Sequence, residues 1–364
     1  MIKEQNRKLI FEDGSEYLGY GFGSDCEKVL EAVFNTSMVG YQEILSSSSS
    51  AGKAVILTYP LIGNYGMCDE DYESDNRPLG ALICGSYNDV PSNFRATKTL
   101  AEVMKENDIP GVYGLDTRKI TNAIRDNGCM KVLITAPSTS KEEGLKKISE
   151  TDLKEDLSKD LGVKEITKLK KKGKLSVAVL DLGVNNSILN ALAERDCAVT
   201  LMPYTATLKD IEKVKPNGIL ISNGTGNPTA YPEMIGLIRQ LKGKYPIFAI
   251  DLGYELLCLS YGAKTYKLKA GHRGSNHPIK SVADGKVDTM AQNHSYAVDK
   301  TSLEGTDLTI THLNVLDGTV EGVECAKEKA FGLQFMPDTS STKNITYTES
   351  NFDKFVKIMK GGKR

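Results

Sequence analysis

The stretch Pro246-Ile-Phe-Ala-Ile-Asp-Leu-Gly-Tyr-Glu-Leu-Leu257 decides the fold that this sequence predicts. Its short apolar run, which ends at Ile250, is typical of a buried strand, and the residues from Tyr254 to Ser260 predict a helix. Between them the chain turns sharply at Asp251, and this strand-to-helix turn has the architecture of a nucleophile elbow. Backbone N–H groups at such a helix N-terminus stabilise negative charge. Because a strand, a turn and a helix are a common combination, the surrounding sequence has to identify the fold.

The sequence around this turn alternates short strands with helices. Short buried strands that alternate with helices favour an α/β domain with a mainly parallel sheet covered by helices. Binding and catalytic residues of such sheets lie beyond the carboxyl ends of the strands. Candidate site segments are therefore 181–186, 222–228 and 251–254. The predicted strands are 176–180, 199–203, 218–221 and 246–250, and the predicted helices include 188–195, 235–241 and 254–260.

The first part of the chain has a different pattern. Residues 1–145 contain short apolar, often β-branched runs bounded by Gly, Pro or Asn, and helical stretches such as 96–107 and 117–126. We predict an N-terminal α+β domain over residues 1–145, a polar, lysine-rich linker over 146–174, and the α/β domain over 175–364. The lysines between Lys168 and Lys174 are interpreted as part of the solvated linker rather than as a binding arm.

Composition excludes several classes of function. The formal net charge of -1 gives no electrostatic basis for binding nucleic acid or an anionic membrane. No apolar run of about 18 residues is present, and the N-terminus lacks the apolar core of a signal peptide. The cysteines form no C-x-x-C pair, which indicates reduced thiols in a cytoplasmic protein and argues against structural zinc. We expect neither metal nor cofactor. The cysteines are Cys26, Cys68, Cys84, Cys129, Cys197, Cys258 and Cys325.

Motifs in both halves of the chain resemble the small, glutamine-hydrolysing subunit of carbamoyl-phosphate synthetase, a class I glutamine amidotransferase. The segment Ser222-Asn-Gly-Thr-Gly-Asn-Pro228 is similar to the S-N-G-P-G-D-P turn that helps to form the oxyanion site of that class. The quoted stretch that opens this section is similar to the family's G-x-C-L-G-H-Q elbow. The other matching segments are Phe34-Asn-Thr-Ser-Met-Val-Gly-Tyr-Gln-Glu-Ile-Leu45, Thr58-Tyr-Pro-Leu-Ile-Gly-Asn64, Ser92-Asn-Phe-Arg95, Leu115-Asp-Thr-Arg-Lys119, Gly262-Ala-Lys-Thr265, Gly271-His-Arg-Gly-Ser-Asn-His-Pro278 and Ala291-Gln-Asn-His294.

This resemblance also shows where the sequence departs from the family. The family has a cysteine at the elbow, followed by His-Gln, and takes a histidine and a glutamate from a later F-Q-G-H-P-E segment. Here Asp251 stands at the elbow, with Tyr254 and Glu255 in place of His-Gln. The later segment reads Leu333-Gln-Phe-Met-Pro-Asp338, so Met336 replaces the histidine and Asp338 replaces the glutamate.

The resemblance assigns the rest of a former glutamine and oxyanion pocket. Ser49 corresponds to a serine of the first domain, and Ser295 replaces a glycine of the family's N-x-G-F segment. A side chain in place of that glycine crowds the backbone contacts. The assigned residues are Ser49, Gly224, Gly226, Leu252, Gly253, Asn293, Ser295 and Tyr296.

Glutamine hydrolysis requires a nucleophile and a base that the sequence does not supply at these positions. The base takes the thiol proton and returns it to the departing ammonia. A methionine thioether has no titratable proton, and a carboxylate stabilised at a helix N-terminus attacks amides poorly. The histidines match the family at positions outside its triad: His272, His277, His294 and His312. Cys258 lies about two turns into the predicted helix and is interpreted as a packing residue.

Three functions remain open from the sequence. The first is a pseudo-glutaminase that binds a carbamoyl-phosphate synthetase large subunit or a homologue, with the large subunit using ATP, bicarbonate and free ammonia. The second is a regulatory or ligand-binding module outside carbamoyl phosphate synthesis. The third is an enzyme that uses Asp251 as a covalent nucleophile. We also hypothesise that the Asp251 carboxylate occupies the oxyanion site, and that Glu255 and Asp338 make the pocket acidic enough to favour a cation, ammonium or a metal ion.

Overall fold

A computed structural model describes residues 4–169, 172–337 and 350–361. The chain divides into two compact units. The first ends at Lys154 and also contains Lys269–Gly274, and the second contains the rest of the chain from Glu155 onwards. The division between Lys154 and Glu155 falls inside the segment predicted as a linker, 146–174. The return of 269–274 to the first unit has no counterpart in the sequence-based prediction.

The first unit is built on a closed β-barrel with strand order β1-β2-β8-β6-β4-β3-β9. The pairs β3–β4, β4–β6 and β6–β8 are parallel. The other pairs of the barrel are antiparallel. The strands of the unit are β1 Arg7–Phe11, β2 Glu16–Gly23, β3 Lys28–Asn35, β4 Lys53–Leu57, β5 Leu61–Ile62, β6 Ala81–Ile83, β7 Ser86–Tyr87, β8 Pro110–Tyr113 and β9 Met130–Thr135, of which β5 and β7 form a separate two-stranded sheet. The helices of the unit are α1 Tyr41–Ser46, α2 Leu100–Glu106, α3 Thr117–Asn127 and α4 Lys141–Glu150.

Alternate residues of the barrel strands pack into two different cores. Along β4, Ala54 and Ile56 pack in a cluster that includes residues of α3, whereas Val55 and Leu57 pack in a cluster that includes residues of α2. This alternation follows from the twofold periodicity of a strand, which points successive side chains to opposite faces. Both faces of the barrel wall are therefore buried under helices or inside the barrel.

The second unit contains one sheet with strand order β10-β12-β11-β13-β14-β19-β18-β16-β15-β17. The five central strands, β12, β11, β13, β14 and β19, are parallel to one another. On either side of them, the pairs β10–β12, β19–β18, β18–β16 and β15–β17 are antiparallel. Its strands are β10 Thr167–Lys168, β11 Leu175–Leu180, β12 Cys197–Met202, β13 Gly218–Ile221, β14 Ile247–Ile250, β15 Thr265–Ser281, β16 Val287–Val298, β17 Thr309–Asn314, β18 Val320–Cys325 and β19 Ala330–Leu333, and its helices are α5 Ser158–Leu161, α6 Asn186–Glu194, α7 Leu208–Val214, α8 Pro232–Leu241, α9 Leu252–Ser260 and α10 Asn351–Gly361.

The parallel strands are apolar throughout because helices cover both faces of the sheet. Ile247 and Ala249 of β14 pack in a cluster with residues of α7, α8 and α9. Phe248 and Ile250 pack in the opposite cluster with residues of α6 and α10. A strand buried on both faces reads as a continuous apolar run, which is the signal that predicted this sheet.

The predicted α/β fold class is confirmed by this architecture. The predicted strands and helices of residues 175–260 are present, and their bounds differ from the predictions by at most a few residues. No helix in the described parts of the chain has both the length and the apolar character needed to cross a membrane.

Candidate functional site

The elbow, residues 251–255, joins β14 to α9 through a strained backbone. Asp251 has φ 55° and ψ -118°, a combination that non-glycine residues rarely adopt. Its N–H donates to Leu333 O at 2.8 Å, which ties the turn to the end of the neighbouring strand β19. The strained nucleophile-elbow geometry is therefore present, with an aspartate at the position of the nucleophile.

Gly253 is a glycine because the elbow lies directly against the end of β13. A Cβ atom on Gly253 would lie 2.5 Å from Ile221 O and 2.7 Å from Ser222 O. The Gly253 N–H donates to Ser222 O at 3.1 Å, so this close approach also satisfies one of the first N–H groups of α9. A larger residue would separate the elbow from β13.

The glycine turn, residues 222–228, follows β13 and is covered by the segment around α5. Ser158 Oγ accepts from Thr225 N–H at 2.7 Å and donates to Thr225 O at 3.1 Å. A Cβ atom on Gly224 would lie 2.6 Å from Ser158 Oγ. Gly226 has φ +109°, and a Cβ there would lie 2.0 Å from Glu155 O. The turn thus requires glycine at both positions, and residues 155–158 hold it in place.

The glycine turn and the elbow meet at the Asp251 side chain. Gly224 N–H donates to Asp251 Oδ2 at 3.4 Å, longer than the roughly 2.7–3.2 Å of a typical N–H···O hydrogen bond. The Asp251 side chain does not cap α9 and is 2% exposed. A buried carboxylate oxygen therefore lies next to an N–H group of the turn that resembles the oxyanion site.

Glu255 lies one helical turn after Asp251 and is held inside the protein. Its side chain is 3% exposed, and Gln334 Nε2 donates to Glu255 Oε1 at 3.0 Å. Burial, and then the nearby Asp251 carboxylate, raise the pKa of Glu255 well above its ordinary value of 4.5. The Glu321 carboxylate raises it further.

Tyr254 and Cys258 belong to the hydrophobic core of α9. The Tyr254 hydroxyl donates to Val320 O at 2.9 Å, and both side chains are fully buried. Burial raises the pKa of the Cys258 thiol well above its ordinary value, so the thiolate is not available at neutral pH. The interpretation of Cys258 as a packing residue is confirmed.

Met336 lies beyond the end of β19, next to the strand that leads to the elbow. Ile250 and Leu333 are register partners in the parallel pair β14 and β19, so Asp251 and Met336 follow adjacent strands. Met336 is half-buried, and its N–H donates to Ala291 O at 2.9 Å. Phe335, which stands at the glycine of the family's F-Q-G-H-P-E segment, is 1% exposed. Asp338 lies outside the described residues.

The remaining predicted pocket residues are distributed over other elements. Leu252 is buried at the start of α9. Its Cδ2 atom lies 2.8 Å from the position that a Cβ atom on Gly224 would take. Asn293, Ser295 and Tyr296 are half-buried residues of β16. Ser49 is a buried residue of the short turn of helix Ser48–Ser50 in the first unit. The second unit therefore brings Gly224 to the start of α9, beside Asp251 and Leu252, whereas Gly226 lies against Glu155 and Tyr231.

Comparison with known proteins identifies the family. Residues 9–134 match the model of the carbamoyl-phosphate synthase small chain, CPSase domain, and residues 178–356 match that of the class-I glutamine amidotransferases. A carbamoyl phosphate synthase small chain of Fusobacterium nucleatum is 42% identical over 352 residues, which cover 97% of this chain and 98% of the relative. The chain belongs to the carbamoyl phosphate synthase small-chain family.

Other small chains give the same result. The carbamoyl phosphate synthase small chain of Listeria monocytogenes serotype 4b is 42% identical over 98% of this chain and 97% of its own length. The pyrimidine-specific small chain of Halalkalibacterium halodurans is 42% identical over 98% of both chains. The family resemblance inferred from motifs is therefore confirmed over nearly the whole length.

Three contacts at this small-chain site were not predicted from the sequence. Gln334 was quoted only as part of a motif, although its place directly after a parallel strand is the kind of position that marks such sites. Ser158 and Glu155 lie in the polar segment predicted as a linker, and no periodicity in that segment indicates that they contact the glycine turn. Their contacts use backbone atoms and short side chains, which leave no hydrophobic pattern in the sequence.

Proposed function

We propose that this chain is a carbamoyl phosphate synthase small chain that does not hydrolyse glutamine. The observation that carries the proposal is the buried Asp251 carboxylate at the elbow, which accepts a hydrogen bond from Gly224 N–H. A glutaminase of this class needs a soft nucleophile at the elbow, where Asp251 stands. A carboxylate is a weak nucleophile toward an amide.

The base is missing as well as the nucleophile. Met336 occupies the position that the resemblance assigns to the catalytic histidine, and a thioether neither accepts nor returns a proton at neutral pH. Removing either a nucleophile or its base alone costs several orders of magnitude in rate in enzymes of this type. Asp251 and Met336 follow adjacent parallel strands, as a nucleophile and its base would. Restoring only the cysteine or only the histidine leaves that nucleophile–base pair incomplete.

The Asp251 carboxylate also lies where the oxyanion of the reaction intermediate would form. In amide hydrolysis, N–H donors stabilise the oxyanion of the tetrahedral intermediate. Here the Gly224 N–H already has an anionic acceptor, 3.4 Å away. A second oxyanion next to this carboxylate would be repelled, which opposes the transition state even when glutamine is bound.

We further propose that the chain acts as the non-catalytic partner of a carbamoyl phosphate synthase large chain that uses free ammonia. The first unit has an exposed apolar surface of the kind that marks protein–protein contacts, and we call it the apolar loop surface. Phe94 is 98% exposed and Val90 is 75% exposed. Ser92 N–H donates to Asn64 O, Asn93 Nδ2 donates to Tyr65 O, and Gly40 N–H donates to the Tyr65 hydroxyl, so these three loops are held together. The surface consists of Met38, Val39, Leu61, Val90 and Phe94.

A glutaminase assay tests the first proposal. The purified full chain, alone and with a large chain, is incubated with glutamine, and released ammonia is measured. We expect no release above the protein-free rate, and we expect carbamoyl phosphate from the complex only when an ammonium salt is supplied. The double variant Asp251→Cys, Met336→His is expected to release more ammonia than the unmodified chain. Glutamine-dependent ammonia release by the unmodified chain would contradict the proposal.

Substitution of the apolar loop surface tests the partner. Phe94→Asp is expected to weaken binding to the large chain by about thirtyfold or more, the effect of losing a buried aromatic anchor worth roughly 2 kcal/mol. The matched control is Leu316→Asp in the second unit, because Leu316 is also strongly exposed, at 73%. Equal binding by the Phe94 variant and the unmodified chain would exclude this surface from the interface.

A further inference from the structure

One polar segment of the second unit lies across the ends of two neighbouring parallel strands. We call residues 155–163 the strap. At its first end, Asn227 N–H donates to Glu155 O at 2.8 Å, and Asn227 Nδ2 donates to Glu155 Oε2 at 3.1 Å. Ser158 Oγ accepts from Thr225 N–H and donates to Thr225 O. These partners belong to the glycine turn, so the strap covers the segment that resembles the family's oxyanion turn.

The second end of the strap is held at the end of β11, the strand next to β13. Val163 N–H donates to Asp181 Oδ2 at 2.9 Å. A Cβ atom on Gly162 would lie 2.2 Å from Asp181 O, so the backbone of the strap lies directly against this strand end. Asp181 Oδ1 accepts from Gly183 N–H and Val184 N–H, which fix the carboxylate independently of the strap. Two separate anchors, on adjacent strands, thus hold the strap.

Tyr231 ties the centre of the strap to the glycine turn. Its hydroxyl accepts from Ser158 N–H at 3.2 Å and donates to Thr225 O at 2.6 Å. Lys159 Nζ lies 5.1 Å from the ring centroid of Tyr204 and 5.8 Å from that of Tyr231, within the range of a cation–π contact. The contacts of Ser158 with the turn and with the tyrosine therefore form one network, which is lost when this part of the strap moves.

The strap is held by hydrogen bonds more than by apolar packing. Ser158 is the only buried residue among 155–163, all of which the structure describes. Val163 packs partly against the core that contains Phe248, and the helix within the strap, α5, has four residues. Segments with little buried apolar surface open at a lower free energy than the core around them. The strap can therefore leave the sheet while β11 and β13 stay folded.

We propose that the strap is a gate that opens and closes as one unit over the glycine turn. In the closed state, Thr225 N–H and Asn227 N–H both have acceptors on the strap. Opening frees these two donors and gives a ligand access to the turn. Because the single helical turn α5 joins the two ends, release of one end displaces the other. The gate does not depend on whether the chain hydrolyses glutamine.

Amide hydrogen exchange on the full chain tests the gate, under conditions in which the corrected exchange rate reports the opening equilibrium. The N–H groups of Thr225, Asn227 and Val163 should exchange at similar rates, because one opening exposes all three. The Ile219 N–H, which donates to Pro246 O within the sheet, should exchange more slowly by about tenfold or more. Equally fast exchange of Ile219 would mean that the turn opens only together with the sheet, and the gate would be excluded.

Gly162→Ala tests whether the two ends release together. Gly162 has φ -77°, which alanine adopts readily, so the substitution acts through the clash of its methyl group with Asp181 O. We expect exchange at Val163 to rise by about tenfold, and exchange of both glycine-turn N–H groups, at the other end, to rise by a similar factor. The control Gly236→Ala, with nothing within 4 Å of the added carbon, should leave all three unchanged. Unchanged exchange at the glycine turn in the Gly162 variant would show that the ends move independently.

Ser158→Ala acts on the first end and keeps the proposal testable if the Gly162 variant does not fold. It removes the contacts of Ser158 Oγ with the glycine turn and leaves the hydrogen bond of Val163 N–H untouched. Exchange at Val163 should nevertheless rise by about fivefold or more. Ser149→Ala, whose hydroxyl bonds only within α4, should cause no rise. A Ser158 variant with unchanged exchange at Val163 would reduce the strap to a fixed cover and overturn the proposal.

Discussion

The glycine turn after β13 and the elbow after β14 lie against each other, yet they differ in what they retain from the family. In the glycine turn, Gly224 and Gly226 are present, and a Cβ atom at either position would clash with the segment around α5. In the elbow, the strained backbone and Gly253 are present, and the sequence motifs predict that Asp251 and Glu255 stand in place of the side chains that the family uses. On the proposed assignment, the backbone frame of the site is kept, while its reactive groups are changed.

This difference has a physical origin. Backbone geometry here depends on close approaches that several strands and helices share, so a change at one glycine disturbs the core of the second unit. A side chain at the elbow can change its chemical group without altering these backbone contacts, so the fold can persist. Four substitutions test this distinction, beginning with the largest expected effect.

Gly253→Ala should destabilise the protein most. The new methyl group would lie 2.5 Å from Ile221 O and 2.7 Å from Ser222 O, and the backbone of β13 cannot move without disturbing the sheet. We expect a loss of about 3 kcal/mol or more in the free energy of unfolding, measured by denaturant titration. The control is Gly236→Ala in helix α8, where nothing lies within 4 Å of the added carbon. It should stabilise the protein by about 0.5–1 kcal/mol. Similar effects of the two changes would show that the elbow does not depend on the close approach.

Ser158→Ala should have the next largest effect, because it leaves Thr225 N–H without its acceptor. We expect a loss of about 1–3 kcal/mol in the free energy of unfolding. Ser149→Ala is the matched control, since Ser149 is exposed and its hydroxyl bonds only within helix α4, and its effect should stay within about 0.5 kcal/mol. If the Ser158 variant is as stable as this control, the segment around α5 does not hold the glycine turn.

Glu255→Gln should change how stability depends on pH. The raised pKa of Glu255 means that the folded state binds its proton more tightly than the unfolded state. The free energy of unfolding should therefore fall as pH rises from about 4.5 toward the raised folded value, by up to about 1.4 kcal/mol per pH unit. The titratable groups that face Glu255 are Asp251, Glu321, Tyr231, Tyr254 and Cys258.

The free energy of unfolding is compared as a function of pH between the unmodified chain and the variant. The difference between the two curves is the contribution of the Glu255 proton. In Glu255→Gln the fall should be absent, whereas the exposed control Glu304→Gln should retain it. Denaturant titration at a series of pH values gives both curves. Parallel curves for the unmodified chain and the Glu255 variant would mean that the Glu255 pKa is the same in the folded and unfolded states.

Tyr254→Phe should have the smallest effect of the four. It removes the hydrogen bond to Val320 O and leaves a buried carbonyl oxygen, for an expected loss of about 1 kcal/mol. Tyr266→Phe, at a side chain that is 45% exposed, should be nearly neutral. A neutral Tyr254 variant would show that this residue contributes through packing alone.

The sequence predicts the second unit better than the first for a reason that lies in the strands. In β11 and β14, burial on both faces produces apolar runs that are visible locally, and the glycines mark the turns. The barrel of the first unit depends on which strand pairs with which over long sequence separations, as when β3 pairs with both β4 and β9. Local patterns carry no information on such pairing, so only an α+β domain could be predicted.

For the candidate site, the sequence predicts which residue types stand at the ends of the strands, but not which atoms contact each other. Asp251 and Met336 are predicted as site residues from their places after predicted strands and from the family motifs. The contact between Gly224 and Asp251, and the buried amide of Gln334, required coordinates because they depend on side-chain direction. Glu255 was recognised as a replaced residue, but its complete burial and its pairing with Gln334 were not foreseen.

The measurement that tests the central claim most directly is ammonia release from glutamine by the purified, unmodified chain, with and without a large chain. Since Asp251 offers no soft nucleophile and Met336 offers no base, the predicted rate equals that of a protein-free control under both conditions. Stoichiometric formation of glutamate and ammonia at a rate that scales with protein concentration would contradict the account.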